Sequence, residues 1–270
     1  MSSPNLGRGV LHPDRAAAVI DVTRHGPAAE LAGFVEFYWM VRWERGDLPF
    51  HEQKVLAHPN VHLVLEAPEA RVYGVQHSLF SRKLEGKGHV LGVKFRPGGF
   101  RPFLGRPVSE LADRAVPAAE VLGDGVNALN EAVLRDDGNL PALAPRVDAF
   151  LSARRPEPDP VVERAAEQAA ALVARITGDT ELRRVDQVAA ESGLSVRRLQ
   201  RLFAEYVGAG PKWVLRRARL HEAAERADRG GAIDWAQLAA DLGYADQAHL
   251  TRDFTATVGT SPARYAAGRG

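Results

Sequence analysis

Apolar residues recur with two different periods along the chain, and the change of period divides it. Between Phe34 and Trp43, the residues Val35, Phe37, Trp39, Val41 and Trp43 fall on one side of an extended chain. A mixed set, Phe34, Glu36, Tyr38, Met40 and Arg42, falls on the other. Strand side chains alternate between faces, so this pattern predicts a strand whose Val35, Phe37, Trp39, Val41 and Trp43 side is buried. His62–Glu66, Arg71–Gln76 and His89–Phe95 also read as strands, with Leu91, Val93 and Phe95 sharing a face. Pro68 and Gly86-Lys87-Gly88 punctuate the runs. Short strands this closely spaced predict an antiparallel sandwich or small barrel.

The strand period stops after the loop Arg96–Phe100. Gly125–Arg135 and Leu140–Ala153 read as short helices. Ser152–Pro160 is rich in proline and charge and lacks large apolar residues, which marks an interdomain linker. From Val161 onward the period is helical: Val162, Ala165, Ala166, Ala169, Leu172, Val173 and Ile176 form one stripe, ended by Gly178-Asp179-Thr180. The expected fold class is α+β. A β barrel or sandwich with flanking helices occupies 1–153, a linker 154–160, and an all-α domain 161–270.

One loose repeat lies in the helical part. In Val185–Phe203 a short helix carries Val185, Val188 and Ala189, and Gly193 stands where a tight turn favours positive φ. Leu194 follows as a plug, Ser195 stands at the N-cap position, and a second helix buries Val196, Leu199, Leu202 and Phe203. In Ile233–Phe254 the matching positions are Leu238, Ala239, Gly243, Tyr244, Leu250 and Phe254, with the two glycines 50 residues apart. Two short helices meeting at a glycine turn can lay the second one in a DNA major groove. The long helix between the units, about Gly210–Asp228, carries Lys212, Arg216, Arg217 and Arg219. Ser195–Arg219 holds seven basic residues against one acid, Glu205. Such an excess is what phosphate neutralisation requires.

At these residues the sequence resembles the AraC/XylS family of transcription regulators. The likeness spans Val161–Tyr265. It includes Leu194-Ser195, Arg197, Leu199-Gln200-Arg201, Phe203, Gly208, Pro211, Arg219-Leu220 and Ala223. It continues through Leu238-Ala239, Leu242-Gly243-Tyr244, Leu250, Arg252, Phe254, Gly259, Ser261-Pro262 and Tyr265. The resemblance implies two recognition helices in successive major grooves, about 34 Å apart. By position it makes Arg197, Gln200 and Arg201 base readers in the first helix, and Gln247, His249, Thr251 and Arg252 in the second. Ser195, Arg198, Lys212 and Arg216 complete the expected DNA-binding set. Arg198 reads equally as a solvated or phosphate-facing charge, His249 as a surface residue, and Arg252 as a partner of Asp253 or Asp241. Asp246 and Asp253 flank the second set of readers and predict a weaker half-site. Ala266 and Ala267 stand where the family usually has a basic residue.

Regulators of this architecture usually carry a sensor or dimerisation domain first, and the strand-rich segment suits a cupin-like barrel. Gly92–Phe100 with Phe103-Leu104-Gly105 resembles a group of uncharacterised domains found before such regulators. A small-molecule pocket is expected at the barrel mouth, with Trp39, His58, Asn60, His62, Tyr73 and His77 as candidates. Five histidines lie between His51 and His89, and His58, His62 and Glu66 share a parity. Residues four apart on a strand are separated by about 13 Å, too far for one ion with ligands at about 2 Å, so no metal is expected there. The apolar stripes Leu129, Val133, Leu134 and Leu143, Val147, Phe150, Leu151 could form a dimer face or pack on the barrel.

Composition adds exclusions. The chain has no cysteine, which rules out disulfides, thiolate metal sites and a methyl-accepting cysteine. No apolar run has membrane-spanning length, and Met1–Arg8 has no secretory pattern, so a cytoplasmic protein is expected. The net charge of +1 is uninformative beside the local basic cluster. The expected function is a sequence-specific DNA-binding transcription regulator, not an enzyme and without cofactor. Its expected partners are double-stranded DNA, a small-molecule effector, RNA polymerase and a second copy of the chain. The alternatives are a metal-dependent cupin enzyme fused to a DNA-binding domain, and an architectural DNA binder without effector.

Overall fold

The computed structural model describes residues 8–46 and 48–268. Its first part runs α1 (Pro13–Ala17), β1 (Ile20–His25), β2 (Val35–Glu44), β3 (His51–Val55), β4 (His62–Leu65), β5 (Arg71–Tyr73), β6 (Phe80–Leu84) and β7 (Lys87–Phe95). It continues through α2 (Arg101–Leu104), β8 (Ala115–Pro117), α3 (Ala119–Leu122), α4 (Gly125–Arg135) and α5 (Leu140–Ser152). The second part is helical: α6 (Pro160–Gly178), α7 (Val185–Glu191), α8 (Val196–Leu202), α9 (Pro211–Arg229), α10 (Trp235–Asp241), α11 (Gln247–Val258) and α12 (Pro262–Ala267).

The strands form a six-stranded antiparallel sheet, in the order β1-β2-β7-β4-β5-β8, and a two-stranded sheet, β3-β6. One face of the large sheet packs on α4 and α5. Tyr38, Met40, Leu63, Leu65, Leu91, Val93 and Phe95 share a core there with Val126, Leu129, Val133, Leu143, Val147 and Leu151. The Tyr38 hydroxyl donates to Asp148 Oδ1 at 2.5 Å and so ties sheet to helix. The opposite face looks toward the β3-β6 sheet across a cavity.

This arrangement corrects one expectation and decides another. The side of β2 expected to be buried is not the packed core: Phe37, Trp39, Val41 and Trp43 are half-buried, whereas Tyr38 and Met40 are fully buried. A bulge between Val35 and Phe37 shifts the register, so Val35 joins the core and the apolar residues after it face the cavity. Alternation reports which residues avoid water and cannot distinguish a filled core from a lined hollow. Of the two readings left open for the helical stripes, dimer face or packing on the barrel, the second is the one found. Leu129, Val133, Leu143, Val147, Phe150 and Leu151 are buried in the chain's own core, and Leu134 is half-buried.

Two further cores lie in the helical part. Ala169, Val173, Ile176, Val188, Leu199, Phe203 and Leu215 form one. Leu220, Leu238, Tyr244, Leu250, Phe254 and Tyr265 form the other, which also takes in Leu11 and Leu56 from the strand-rich part. The halves are joined at a second place, where Gly98 N donates to Tyr206 O at 3.0 Å and Arg101 pairs with Glu205 at 2.6 Å.

Candidate nucleic-acid interface and ligand cavity

The two helix pairs repeat each other bond for bond. In α7–α8, Gly193 N donates to Ala190 O at 3.2 Å and Leu194 N to Ala189 O at 3.0 Å. In α10–α11, Gly243 N donates to Ala240 O at 3.0 Å and Tyr244 N to Ala239 O at 2.9 Å. Both glycines have positive φ, 65° and 71°. Each second helix is then capped by a side chain: Ser195 accepts from Arg198 N at 3.3 Å, and Asp246 from His249 N at 2.6 Å. Leu199 and Phe203, like Leu250 and Phe254, are buried, which fixes the outward face of each helix.

That outward face holds most of the expected DNA-binding residues. Ser195, Arg197, Arg198, Gln200 and Arg201 are exposed on the first unit, Gln247, His249 and Arg252 on the second, and Lys212 at the start of α9; Thr251 is half-buried. Among the described residues, no side chain pairs with Arg197, Arg198, Arg201, Lys212 or Arg252. His249 stands edge-on to Tyr244 with ring centroids 5.1 Å apart. Arg216 differs from the rest: it is ion-paired to Asp253 of α11. Arg217 is buried and donates to His77 O at 2.6 Å, and Arg219 donates to Arg183 O. Of the seven basic residues counted in Ser195–Arg219, these three hold the fold together. The flanking acids are occupied as well. Glu205 pairs with Arg101, Asp246 caps α11, and Asp253 accepts from Arg216 and, at 2.8 Å, from the Tyr244 hydroxyl.

The cavity between the two sheets has a volume of about 250 Å³. Five of the six expected ligand-contacting residues line it: Trp39, His58, Asn60, His62 and Tyr73. His77 does not. It faces Asp113, with Nδ1 at 2.8 Å from the carboxylate, and stands against Trp213 of α9. Asn60 donates to Phe95 O at 2.7 Å and Tyr73 to Glu66 at 2.6 Å. Trp39 Nε1 donates to His62 Nδ1 at 3.2 Å. Burial, with Lys94 nearby, pushes His62 down to about 3 and His58 down to about 4, so both rings are neutral at pH 7. Sequence reasoning missed Phe37, Trp43 and Phe80, which also line the cavity. It also missed Lys94, a cation set between the apolar residues Val93 and Phe95 of β7, and that placement was the available signal. Among the described residues, no group of three His, Asp or Glu side chains is placed to hold a metal ion.

Residues 188–268 match the helix-turn-helix domain family, and residues 23–117 match the domain of unknown function DUF6597. The C-terminal region is a helix-turn-helix domain. Several solved structures are similar to the chain. One is a transcriptional regulator with an AraC-type DNA-binding domain from Chromobacterium violaceum, 21% identical, with TM-score 0.36, covering 40% of this chain and 96% of its own. Another is ToxT from Vibrio cholerae bound to an unsaturated fatty acid, 11% identical, with TM-score 0.38, covering 92% and 94%. A third is the AraC-like activator CuxR, 18% identical, with TM-score 0.24, covering 77% and 88%. Overlays this loose carry no weight for what the protein does. No curated protein matches the chain.

The helix-turn-helix domain touches the cavity wall directly. His58 stacks on His221 of α9 with centroids 4.1 Å apart and planes at 11°. Arg8, which also lines the cavity, pairs with Glu225 at 2.5 Å and Glu222 at 3.3 Å on the same helix. The helix-turn-helix domain also exposes Arg264 on α12, one residue before Tyr265. Its side chain has no partner among the described residues. A cation is thus present at this end despite Ala266 and Ala267. No described helix is long and apolar enough to cross a membrane.

Proposed function

We propose that the protein is a sequence-specific transcription regulator whose DNA contacts are modulated by a small molecule held in the cavity between its sheets. The observation that carries this reading is the contrast among cations. Arg216, Arg217 and Arg219 are engaged within the fold, while Arg197, Arg198 and Arg201 stand unpaired on the outward face of a capped helix. In this reading residues 161–270 bind DNA and residues 1–153 sense the effector. Arg197, Gln200 and Arg201 read bases in one half-site, and Gln247, His249, Thr251 and Arg252 in the other. Arg198, Lys212 and Arg264 contact phosphates. Ser195 orients the first helix, and Arg216 sets the spacing of the units through Asp253 instead of meeting DNA.

The stack of His58 on His221 supports modulation, because a cavity-wall residue bears on the helix that joins the two DNA-binding units. The test is a fluorescence-anisotropy titration of the full chain on selected and scrambled duplexes over a range of salt. Log affinity should fall linearly with log salt on both, and the selected site should bind more tightly at every salt. Equal affinity for the two duplexes would leave only an architectural binder.

A further inference from the structure

The cavity's walls restrict what can enter it. Trp39 lies directly over Gly92 of the neighbouring strand and Trp43 over Gly88. A Cβ at Gly92 would stand 2.0 Å from the Trp39 ring, and one at Gly88 2.6 Å from that of Trp43. The two glycines therefore make room for two indoles along one wall, joined by Phe37 and Phe80. The remaining apolar lining includes Val22, Val41, Val64 and Leu84. Such a surface favours a flat aromatic body over a polar one.

The charges of the wall are matched within the protein. Arg8 pairs with Glu222 and Glu225, Arg82 with Glu66, and Lys94 with Glu36 at 3.1 Å. Arg24 is held over the Phe37 ring, 4.9 Å from its centroid. Among the described residues no acid lines the cavity, so a cationic ligand finds no counter-charge there. An anion would have to draw Arg8, Arg82 or Lys94 from the carboxylate that already holds it, or Arg24 from the Phe37 ring, while giving up its own hydration.

Among the polar groups of the wall, His62 has a donor to offer. His62 Nδ1 accepts from Trp39, which puts the ring proton on Nε2, and Nε2 has no partner among the described residues. The ring is neutral at physiological pH because its burial disfavours the charged form. It can offer one hydrogen bond without bringing a charge.

We propose that the cavity binds an uncharged, flat, bicyclic aromatic molecule that accepts a hydrogen bond from His62 Nε2. This names the ligand class for the effector reading above and rests on it. The test is calorimetry on the full chain with four probes: coumarin, which is uncharged and carries a carbonyl acceptor; coumarin-3-carboxylate; indene, a bicycle without an acceptor; and decanoate. Coumarin is expected to bind one per chain, about tenfold or more tighter than either carboxylate. His62→Phe should weaken coumarin about fivefold and leave indene unchanged. Val64→Trp and, independently, Val41→Trp should abolish binding by filling the space, with duplex binding retained as the control for folding. Tighter binding of either carboxylate, lost in the filled variants, overturns the uncharged class but leaves the effector cavity standing. Coumarin binding that is indifferent to His62→Phe overturns the hydrogen bond. No saturable binding of any probe by a protein that still binds DNA overturns the class and the effector reading together.

Discussion

Individual side chains decide whether the two turns hold and whether the outward helices read DNA. Gly193 and Gly243 both sit at positive φ, but their surroundings differ. A Cβ at Gly193 would meet nothing, whereas one at Gly243 would stand 2.5 Å from Arg183 Cδ. Gly193→Ala should therefore cost about 1–2 kcal/mol, the strain of a left-handed alanine. Gly243→Ala should cost more, because Arg183 also donates to Asp241 O at 3.2 Å and must move. Urea unfolding of the two variants checks the order, and equal losses would show that Arg183 yields freely. On DNA, Arg197→Ala should lose about 1–3 kcal/mol and relax preference at one base pair. Arg198→Ala should weaken all duplexes alike and reduce the salt slope by about 1. Binding measured on a set of single-base variants separates the two roles.

At the scale of elements, one ion pair and one hydrogen bond on Asp253 hold α9 against α11. The carboxylate receives Arg216 from the linking helix and the Tyr244 hydroxyl from the turn; it is half-buried, whereas Arg216 is exposed. Asp253→Asn should lower stability by about 1 kcal/mol, since a half-buried carboxylate loses its charge opposite an exposed guanidinium. It should also weaken DNA binding, because the second helix loses its bearing on the first; unchanged affinity would show that α11 is positioned by its apolar face alone. Elements with one clean period were legible from sequence. Gly125–Arg135 forms the expected helix, and both glycine turns fall where the repeat placed them. The strands β3, His51–Val55, and β6, Phe80–Leu84, were not legible. Each is five residues long, lies in a sheet of two strands, and carries polar residues between a few that face the cavity. Strand β2 was legible as a strand but not as a cavity wall, since hydrophobic alternation looks the same whether the space beyond is filled or open. Five cavity residues could nevertheless be named because aromatic, histidine and amide side chains on short strands belong at a barrel mouth. Phe80 and Trp43 could not, because their strand or their face was misread.

Across the whole molecule, the contacts that join the halves pair residues far apart in sequence, such as His58 with His221 and Gly98 with Tyr206. No local pattern encodes such a pairing, so the docking of the sheet onto the linking helix emerges only in three dimensions. That docking buries imidazoles. His58 is held at about 4, and His221 is pushed well below 6.5, chiefly by burial; His62 in the cavity is held at about 3. The unfolded chain takes up protons on these rings as pH falls through about 6.5, while the folded protein does not until far lower pH. Their contribution to stability is thus complete above about pH 7 and is lost progressively as pH falls toward the folded values. The urea midpoint should be lower at pH 5 than at pH 7.5, a window above the range in which most carboxylates titrate; an unchanged midpoint would mean the rings are hydrated. The most direct measurement of what the molecule does is selection of bound duplexes from a random pool by the full chain at moderate salt. The expected result is an enriched site with two conserved segments centred about 10 base pairs apart, one turn of duplex, as two outward helices on one face require. A pool that stays unenriched, or a single segment untouched by mutation of Arg252 and Gln247, would contradict it.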